Sequence, residues 1–276
     1  MARTPMSTPL LTVENLSVVY RHQETSVRAV DGVSFTVEPG EVLALVGESG
    51  SGKSSVALAL TRLLPASAAA VSGRVVFKGT NLLTTPEDML RTIRGGKIAY
   101  VFQEPASSLN PVLTIGEQLL EAILLHTHAR GEEAKRLAID WLQRVGMPSP
   151  HERMGAYPHE FSGGMQQRVM LAMAMASAPD LLVADEPTTA LDVTVQVQIL
   201  RLLRYLQRTL GLSILLISHD LTVVERIAHR VGVMSQGRLI ELGAVGQVLH
   251  QPAHPYTKQL LQYRSTLSLR RRAGSG

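Results

Sequence analysis

The sequence predicts a mixed α/β fold in which a β-rich part and a core of parallel strands are accompanied by an inserted group of helices. Three observations lead to this expectation. Short strand-like runs fill residues 10–46, apolar residues at helical spacing fill residues 114–178, and two wholly apolar runs follow at 181–184 and 214–217. Wholly apolar runs of this length are typical of parallel strands buried on both faces. We therefore expect an antiparallel β subdomain and an α-helical subdomain beside a parallel core.

The strands are predicted from β-branched and apolar runs bounded by turn residues. Before the helical insert they cover residues 11–20, 28–37, 42–46, 73–78 and 98–102. After it they cover residues 181–184, 214–217, 231–234 and 238–242, the last two forming a hairpin. Helices are predicted where apolar residues recur every three or four positions. They cover residues 54–64, 115–126, 132–145, 163–176 and 193–210, and Arg201, Arg204 and Arg208 would line the solvent face of the last one.

Composition limits the possible functions. The chain has 276 residues with 45% hydrophobic content, enough to bury a large core as one domain or two joined lobes. It has no cysteine, which excludes disulfides, thiolate zinc sites and cysteine-ligated iron–sulfur clusters. Residues 1–12 lack the apolar stretch of a signal peptide, and the longest apolar run, 169–178, is too short to span a bilayer. We expect no export, and any membrane role would be peripheral.

Residues 47–54 fit the phosphate-loop pattern G-x-x-x-x-G-K-[ST], and they lie between a predicted strand and a predicted helix. The glycines allow a tight turn that points N–H groups at phosphate oxygens, and the helix presents its positive end to the same charge. Lys53 would reach the β- and γ-phosphates and Ser54 would bind Mg²⁺. The alternative is a glycine-rich turn followed by a lysine by chance. The predicted nucleotide contacts are Gly47, Glu48, Ser49, Gly50, Ser51, Gly52, Lys53, Ser54 and Ser55.

Two carboxylates, Asp185 and Glu186, end the apolar run 181–184. In a nucleotide site the first is placed to hold Mg²⁺ through water and the second can face the attacking water. Alone, two acids at the end of a strand are an ordinary entry into a loop. The phosphate loop upstream favours the functional interpretation.

The segment Phe161-Ser162-Gly163-Gly164-Met165-Gln166-Gln167-Arg168 opens a predicted helix. Its Ser-Gly-Gly start offers unpaired N–H groups and a hydroxyl to an anion, although a plain serine N-cap is the alternative for this motif in isolation. The segment resembles the signature sequence of ATP-binding cassette (ABC) ATPases. The resemblance implies a P-loop NTPase (RecA-like) core, with ATP and Mg²⁺ as ligands.

The resemblance assigns roles to further residues. It implies that Gln103 contacts Mg²⁺ and the water, that His219 touches the γ-phosphate and that Tyr20 stacks on adenine. A tyrosine on an edge strand and a buried structural histidine are the alternatives for Tyr20 and His219. Residues 190–192 match the loop that crosses a dimer seam. The implied contacts to the nucleotide held by a partner are Ser162, Gly163, Gly164, Gln166 and Asp192.

In this family two cassettes close head to tail around ATP, so the resemblance implies a dimer. Glu186 would polarise or deprotonate the water that attacks the γ-phosphate. Lys53, Mg²⁺ and Ser162 of the opposite cassette would offset the developing charge, while Gln103 and His219 sense and position the reactants. The implied division is 8–104 and 179–250 for the two parts of the nucleotide-binding core, 105–178 for the helical subdomain and 251–276 for a short tail.

The motif His254-Pro255-Tyr256-Thr257, with the sequences around the phosphate loop, Gln103 and the signature, resembles the ATPase subunits of dipeptide, oligopeptide and nickel importers. The implied partners are a second homologous ATPase or another copy of the chain, two transmembrane permease subunits and, indirectly, an external solute-binding protein. The implied location is peripheral, at the cytoplasmic face of the cell (inner) membrane. Because the chain ends at Gly276 without cysteine, we expect no iron–sulfur tail, and the choice among peptides, nickel chelates and other solutes stays open.

Two other functions are compatible with a cassette. One is a non-import ATPase that drives lipid or lipoprotein extraction or division machinery, against which the His-Pro-Tyr-Thr motif argues. The other is a soluble ATPase that acts on nucleic acid or ribosomes, supported only by the net charge of +4 and a pI near 9.6. A solvated basic end around residues 270–272 is the simpler interpretation of that charge, and we expect no nucleic acid partner.

Overall fold

A computed structural model describes residues 8–22, 25–189 and 191–262. In chain order the strands are β1 (Leu11–His22), β2 (Thr25–Val37), β3 (Val42–Val46), β4 (Ala69–Phe77), β5 (Thr80–Asn81), β6 (Ile98–Val101), β7 (Leu181–Asp185), β8 (Ser213–Ile217), β9 (Arg230–Ser235) and β10 (Arg238–Ala244). The α-helices are α1 (Lys53–Leu60), α2 (Glu87–Ile93), α3 (Pro105–Ser108), α4 (Ile115–His126), α5 (Gly131–Arg144), α6 (Pro150–Arg153), α7 (Gly163–Met175), α8 (Val193–Leu210), α9 (Leu221–Ile227) and α10 (Val245–His250), and residues 255–262 are also helical.

The chain forms two compact units. The described part of the first unit comprises residues 8–84 and 216–262, and the second unit comprises residues 85–215. The boundary falls within β8. The predicted helical subdomain, 105–178, lies inside the second unit. Within the described ranges, no helix combines the length and the apolar character that crossing a bilayer requires.

The first unit contains an antiparallel sheet with the order β2-β1-β4-β5. Leu11 lies opposite Val37 of β2 and Phe77 of β4, and all three side chains are buried. The register between β1 and β2 shifts around Leu16, next to Asn15 with its positive φ of 49°. Such bulges bend a strand and increase its twist. This is the antiparallel β subdomain that the sequence predicts.

The same unit contains the strand that leads into the phosphate loop. All five residues of β3 are buried, as expected of a strand covered on both faces. β3 pairs in parallel with β9, with Val46 opposite Val233, and β9 forms the antiparallel hairpin with β10. The loop after β3 therefore starts from a rigid, buried strand.

The second unit contains the parallel pair β6 and β7, with Ile98 opposite Leu181, and a helical group. In that group α4, α5 and α7 pack against one another. Thr114 and Glu117 form a reciprocal capping box at the start of α4. Trp141 of α5 is only 4% exposed, and the Arg144 guanidinium lies 5.0 Å from its ring centre. α4 and α5 bury one face each, whereas α7 has buried residues around most of its circumference.

The observed elements depart from the predicted ones mainly at short helices. β3, α4 and α8 have the predicted bounds, and the arginines predicted for the outer face of α8 are exposed. The helix after the phosphate loop ends at Leu60 rather than 64, because Arg62 takes a positive φ of 56°. The predictions missed α2, α3, α6, α9 and α10, and residues 255–262 are helical where a plain tail was expected. Ala190 and the basic residues 270–272 lie outside the described residues.

Candidate nucleotide-binding site

The phosphate loop of the first unit requires glycine for two separate reasons. Gly47, Gly50 and Gly52 have φ values of 151°, 79° and 99°, which L side chains rarely adopt. In addition, a Cβ on Gly47 would lie 2.2 Å from the carbonyl oxygen of Met234, and one on Gly52 would lie 2.2 Å from that of Ala29. The loop is therefore pressed against the backbone of β9 and β2.

Lys53 is enclosed by this loop. Its side chain is buried, and its Nζ donates to the carbonyl oxygens of Gly47 at 2.9 Å and Glu48 at 2.8 Å and to Ser51 Oγ at 3.2 Å. An ammonium has three protons to donate and no acceptor. The loop oxygens thus fix a positive charge inside the turn, which suits the binding of a phosphate group.

The first turn of α1 adds backbone donors. The helix begins after Gly52, which adopts a left-handed conformation and, as a glycine, has no side chain to cap the helix. Such a helix start carries positive partial charge and binds anions. Ser54 is exposed here, and the hydroxyls of Ser55 and Tyr20 lie 3.1 Å apart. This contact attaches the predicted adenine-binding tyrosine of β1 to α1.

His219 lies two residues after the end of β8 and is exposed. The alternative of a buried structural histidine is therefore wrong. The preceding residue is anchored, because the Ser218 N–H donates to the Leu45 carbonyl oxygen of β3 at 3.1 Å. The imidazole is thus presented by a fixed turn, and its contact with a γ-phosphate stays a prediction.

The second unit brings two predicted site residues together. Glu186 follows Asp185 at the end of β7, and its Oε2 accepts hydrogen bonds from Gln103 Nε2 at 3.3 Å and from Thr189 Oγ1 at 2.9 Å. Its backbone has a positive φ of 48°, and such strained residues cluster at functional sites. Thr189 belongs to none of the sequence motifs, and its only sequence signal is its place three residues after Glu186.

The signature helix α7 begins with Ser162 as its N-cap, and Ser162 Oγ accepts the Met165 N–H at 3.4 Å. Gly163 is exposed, whereas a Cβ on Gly164 would lie 2.5 Å from Val195 Cγ1 of α8. Glycine is therefore required at position 164 for the close approach of two helix starts.

Two other residues assigned to the nucleotide have structural contacts of their own. Gln166 Nε2 donates to the carbonyl oxygens of Pro158 at 2.8 Å and Phe161 at 3.4 Å, which fixes the turn before α7. Asp192 is the N-cap of α8 and accepts the N–H groups of Thr194 and Val195, each at 3.0 Å. Their contacts with a nucleotide stay predictions.

The chain matches known proteins over most of its length. A family model described as ABC transporter matches residues 30–189. The chain belongs to the ABC transporter family. The peptidoglycan transport ATP-binding protein YejF of Agrobacterium fabrum is 52% identical over 92% of this chain and 46% of its own length. The dipeptide transport ATP-binding protein DppD of Bacillus subtilis is 47% identical over 91% of this chain and 76% of its own length.

This ABC transporter chain spans about half the length of the YejF relatives that it matches. Among solved structures, it resembles the ATP-binding cassette MJ0796, described as a dimer in a post-hydrolysis state bound to ADP and Pi. The two are 29% identical, with a TM-score of 0.75 over 85% of this chain and 98% of the solved one. The predicted family and the α/β cassette fold are thus confirmed.

The donor chemistry of this ABC transporter chain fits Mg²⁺ rather than a metal that prefers nitrogen or sulfur. Ser54, Gln103 and Asp185 offer a hydroxyl, an amide and a carboxylate, the oxygen donors that Mg²⁺ prefers. Over the described ranges, no group of three or more His, Cys, Asp or Glu side chains could hold a metal ion. Each of these donor types is found in the Mg²⁺ sites of nucleotide enzymes, in which substrate phosphates supply other ligands, and the binding of Mg²⁺ by these residues stays a prediction.

Proposed function

We propose that the chain is the ATP-hydrolysing subunit of a membrane importer and powers the uptake of dipeptides or oligopeptides. The observation that carries this proposal is that each unit holds its own ordered cluster of predicted site residues. The first unit holds a glycine loop closed around Lys53, and the second unit holds Glu186 in hydrogen bonds with Gln103 and Thr189. Family membership and the resemblance to a cassette solved with ADP and Pi support ATP as the ligand.

In this proposal Lys53 and the N–H groups at the start of α1 bind the β- and γ-phosphates, and Tyr20 contacts the adenine. Ser54, Gln103 and Asp185 would hold Mg²⁺, which neutralises phosphate charge when bound. Glu186 accepts a proton from, or polarises, the water that attacks the γ-phosphate. Its hydrogen bonds to Gln103 and Thr189 keep the carboxylate in one orientation, as a general base requires.

A dimer completes the proposed reaction. Ser162 and the first N–H groups of α7 form a second helix start suited to an anion, and the chain would offer it to the nucleotide of an opposing cassette. ATP then stabilises the closed dimer and hydrolysis releases it, because the two states bind the γ-phosphate differently. The partner is a homologous ATPase or a second copy of the chain, and the closed pair acts on two permease subunits.

Glu186→Gln tests the catalytic part. We expect ATP binding to be kept and turnover to fall by about 10² or more, because only the base is lost. The assay is phosphate release at saturating ATP, with sizing chromatography to detect an ATP-stabilised dimer. The control is Glu121→Gln, the same change at an exposed position on α4. Near-normal turnover by Glu186→Gln would refute the role of Glu186.

The import part needs a separate test. Purification of the tagged chain from native membranes should recover two multi-span permease subunits and a second cassette, and peptides should raise ATPase activity only when the solute-binding protein is present. Recovery of ribosomes or DNA instead would contradict the import proposal while leaving ATP hydrolysis intact. Recovery of lipid-extraction or division proteins would do the same.

A further inference from the structure

The starts of α7 and α8 lie side by side. A Cβ on Gly164, in the first turn of α7, would lie 2.5 Å from Val195 Cγ1, in the first turn of α8. About one turn further along each helix, Arg168 Nη2 donates to Gln198 Oε1 at 3.0 Å. Because the two contacts have similar spacing along both helices, α7 and α8 run in the same direction and begin at the same end.

This arrangement brings together two N-caps that the family resemblance assigns to the nucleotide of an opposing cassette. Ser162 caps α7 and Asp192 caps α8, each through hydrogen bonds from its own helix, and both residues are exposed. The position of each cap therefore follows the position of its helix. A shift of α7 against α8 would change the spacing between the two caps.

Arg168 is the side chain that connects α7 to two other helices. Its Nη1 donates to the Val145 carbonyl oxygen at the end of α5, and its Nη2 donates to Gln198 of α8. A cation is favourable beside the carbonyl groups at a helix end, and the planar guanidinium can donate to two acceptors at once. The fit is close, because a Cβ on Gly146 would lie 2.7 Å from Arg168 Nη1. One guanidinium thus joins α5, α7 and α8.

We propose that Arg168 is a positioning residue that holds the starts of α7 and α8 as one surface for the nucleotide of the opposing cassette. The inference rests on the proposed ATPase function. The phosphate loop belongs to the first unit, whereas α7 and α8 belong to the second. Loss of the guanidinium should therefore lower kcat and weaken the ATP-dependent dimer, and leave the Kd for ADP unchanged.

The first experiment measures three quantities on the full chain. They are the Kd for ADP with Mg²⁺ by calorimetry, turnover at saturating ATP, and the ATP-dependent dimer of the Glu186→Gln chain by sizing chromatography. We expect Arg168→Ala to lower turnover and dimer affinity about 10-fold each, the effect of one lost charge-assisted hydrogen bond, with no change in the Kd for ADP. Arg201→Ala, at an exposed arginine of α8, is the matched control.

Changes at the acceptor of the guanidinium test the same contact from α8. Gln198→Ala removes one acceptor at an exposed position, so it should give a smaller loss of turnover, and it serves if Arg168→Ala folds poorly. Gln198→Glu keeps an acceptor for Arg168 and should restore most of that loss. Equal losses in the two Gln198 variants would contradict a role for the hydrogen bond.

A mixed dimer distinguishes positioning of the opposite nucleotide from damage to the altered chain itself. In one pairing, an Arg168→Ala chain faces a Lys53→Ala chain, so the remaining phosphate-loop lysine faces an intact α7. In the other pairing, both changes are in one chain and its partner is unmodified, so the remaining lysine faces the altered α7. We expect the first pairing to be the more active, and equal activity would overturn the proposal. If the partner is a homologous ATPase, its own phosphate-loop lysine is changed in the first pairing.

The outcomes separate this inference from the proposed function. If the unmodified chain hydrolyses ATP, and Arg168→Ala matches Arg201→Ala in turnover and dimer affinity, the positioning role is wrong and the proposed function stands. A loss of ADP affinity in Arg168→Ala as large as its loss of turnover would also overturn the positioning role. If the unmodified chain binds no nucleotide, the proposed function itself fails, and the inference with it.

Discussion

Glycine 52 offers the sharpest test of how the phosphate loop is built. Gly50 and Gly52 both have positive φ, so an alanine at either position adopts an unfavourable backbone conformation that costs about 1–2 kcal/mol. They differ in their surroundings. A Cβ on Gly50 meets nothing within 4 Å, whereas one on Gly52 lies 2.2 Å from the Ala29 carbonyl oxygen. Carbon and oxygen atoms rarely approach closer than 3 Å. In Gly52→Ala the loop and β2 must therefore separate by roughly 1 Å.

The expected results follow from that displacement. Gly50→Ala should lower the free energy of unfolding by about 1–2 kcal/mol and keep most of the nucleotide affinity. Gly52→Ala should lower it by about 3 kcal/mol or more and reduce nucleotide affinity by about 10²-fold, since shifts of this size misplace the phosphate donors.

Urea unfolding followed by circular dichroism measures the first quantity, and calorimetric titration of ADP measures the second. Gly32→Ala is a control outside the loop, with a φ of 65° and open surroundings. Equal effects of Gly50→Ala and Gly52→Ala on both quantities would refute the steric reasoning.

Two further predictions concern packing and pH. Gly164→Ala should lower the free energy of unfolding by about 1–2 kcal/mol, because the new Cβ clashes with Val195, and adding Val195→Ala should restore part of that loss. Urea unfolding measures both variants, and strictly additive losses would exclude a clash. Burial alone would raise the pKa of Glu241, but the N–H groups of Ala253 and His254 donate to its carboxylate and help to lower the pKa. Glu241 has a folded-state pKa below its unfolded value near 4.5, so it stabilises the fold above that pH, and this stabilisation is lost as pH falls through the lower folded value. The difference in stability between the unmodified chain and Glu241→Gln should therefore be largest near pH 7 and shrink towards pH 3, and a difference that is constant with pH would contradict the assignment.

The sequence predicted elements well where one physical signal dominates. β3 is a wholly apolar run, and α8 has a long apolar stripe that starts at the N-cap Asp192 and ends at Gly211 in a left-handed conformation. Short helices were missed because α9 and α10 have seven and six residues, too few for apolar periodicity to stand out. Their stability comes from packing, which a linear pattern does not reveal.

In the candidate site, too, the sequence indicated residues but not their contacts. The phosphate-loop pattern indicated Lys53, the acids that end the apolar run indicated Glu186, and the family resemblance indicated Gln103; their roles in the reaction stay predictions. The contacts of these residues were not predictable: the hydrogen bond between Gln103 and Glu186 joins positions 83 residues apart.

The buried indole of α5 has a practical consequence for following denaturation. It is the sole tryptophan of the chain, so intrinsic emission at long wavelength monitors helical packing in the second unit, whereas the lysine loop belongs to the first. Emission and ellipticity curves that coincide in urea indicate that both units melt as one cooperative block. Curves that do not coincide indicate an intermediate in which one unit is unfolded, and the order of the two transitions shows which unit is less stable.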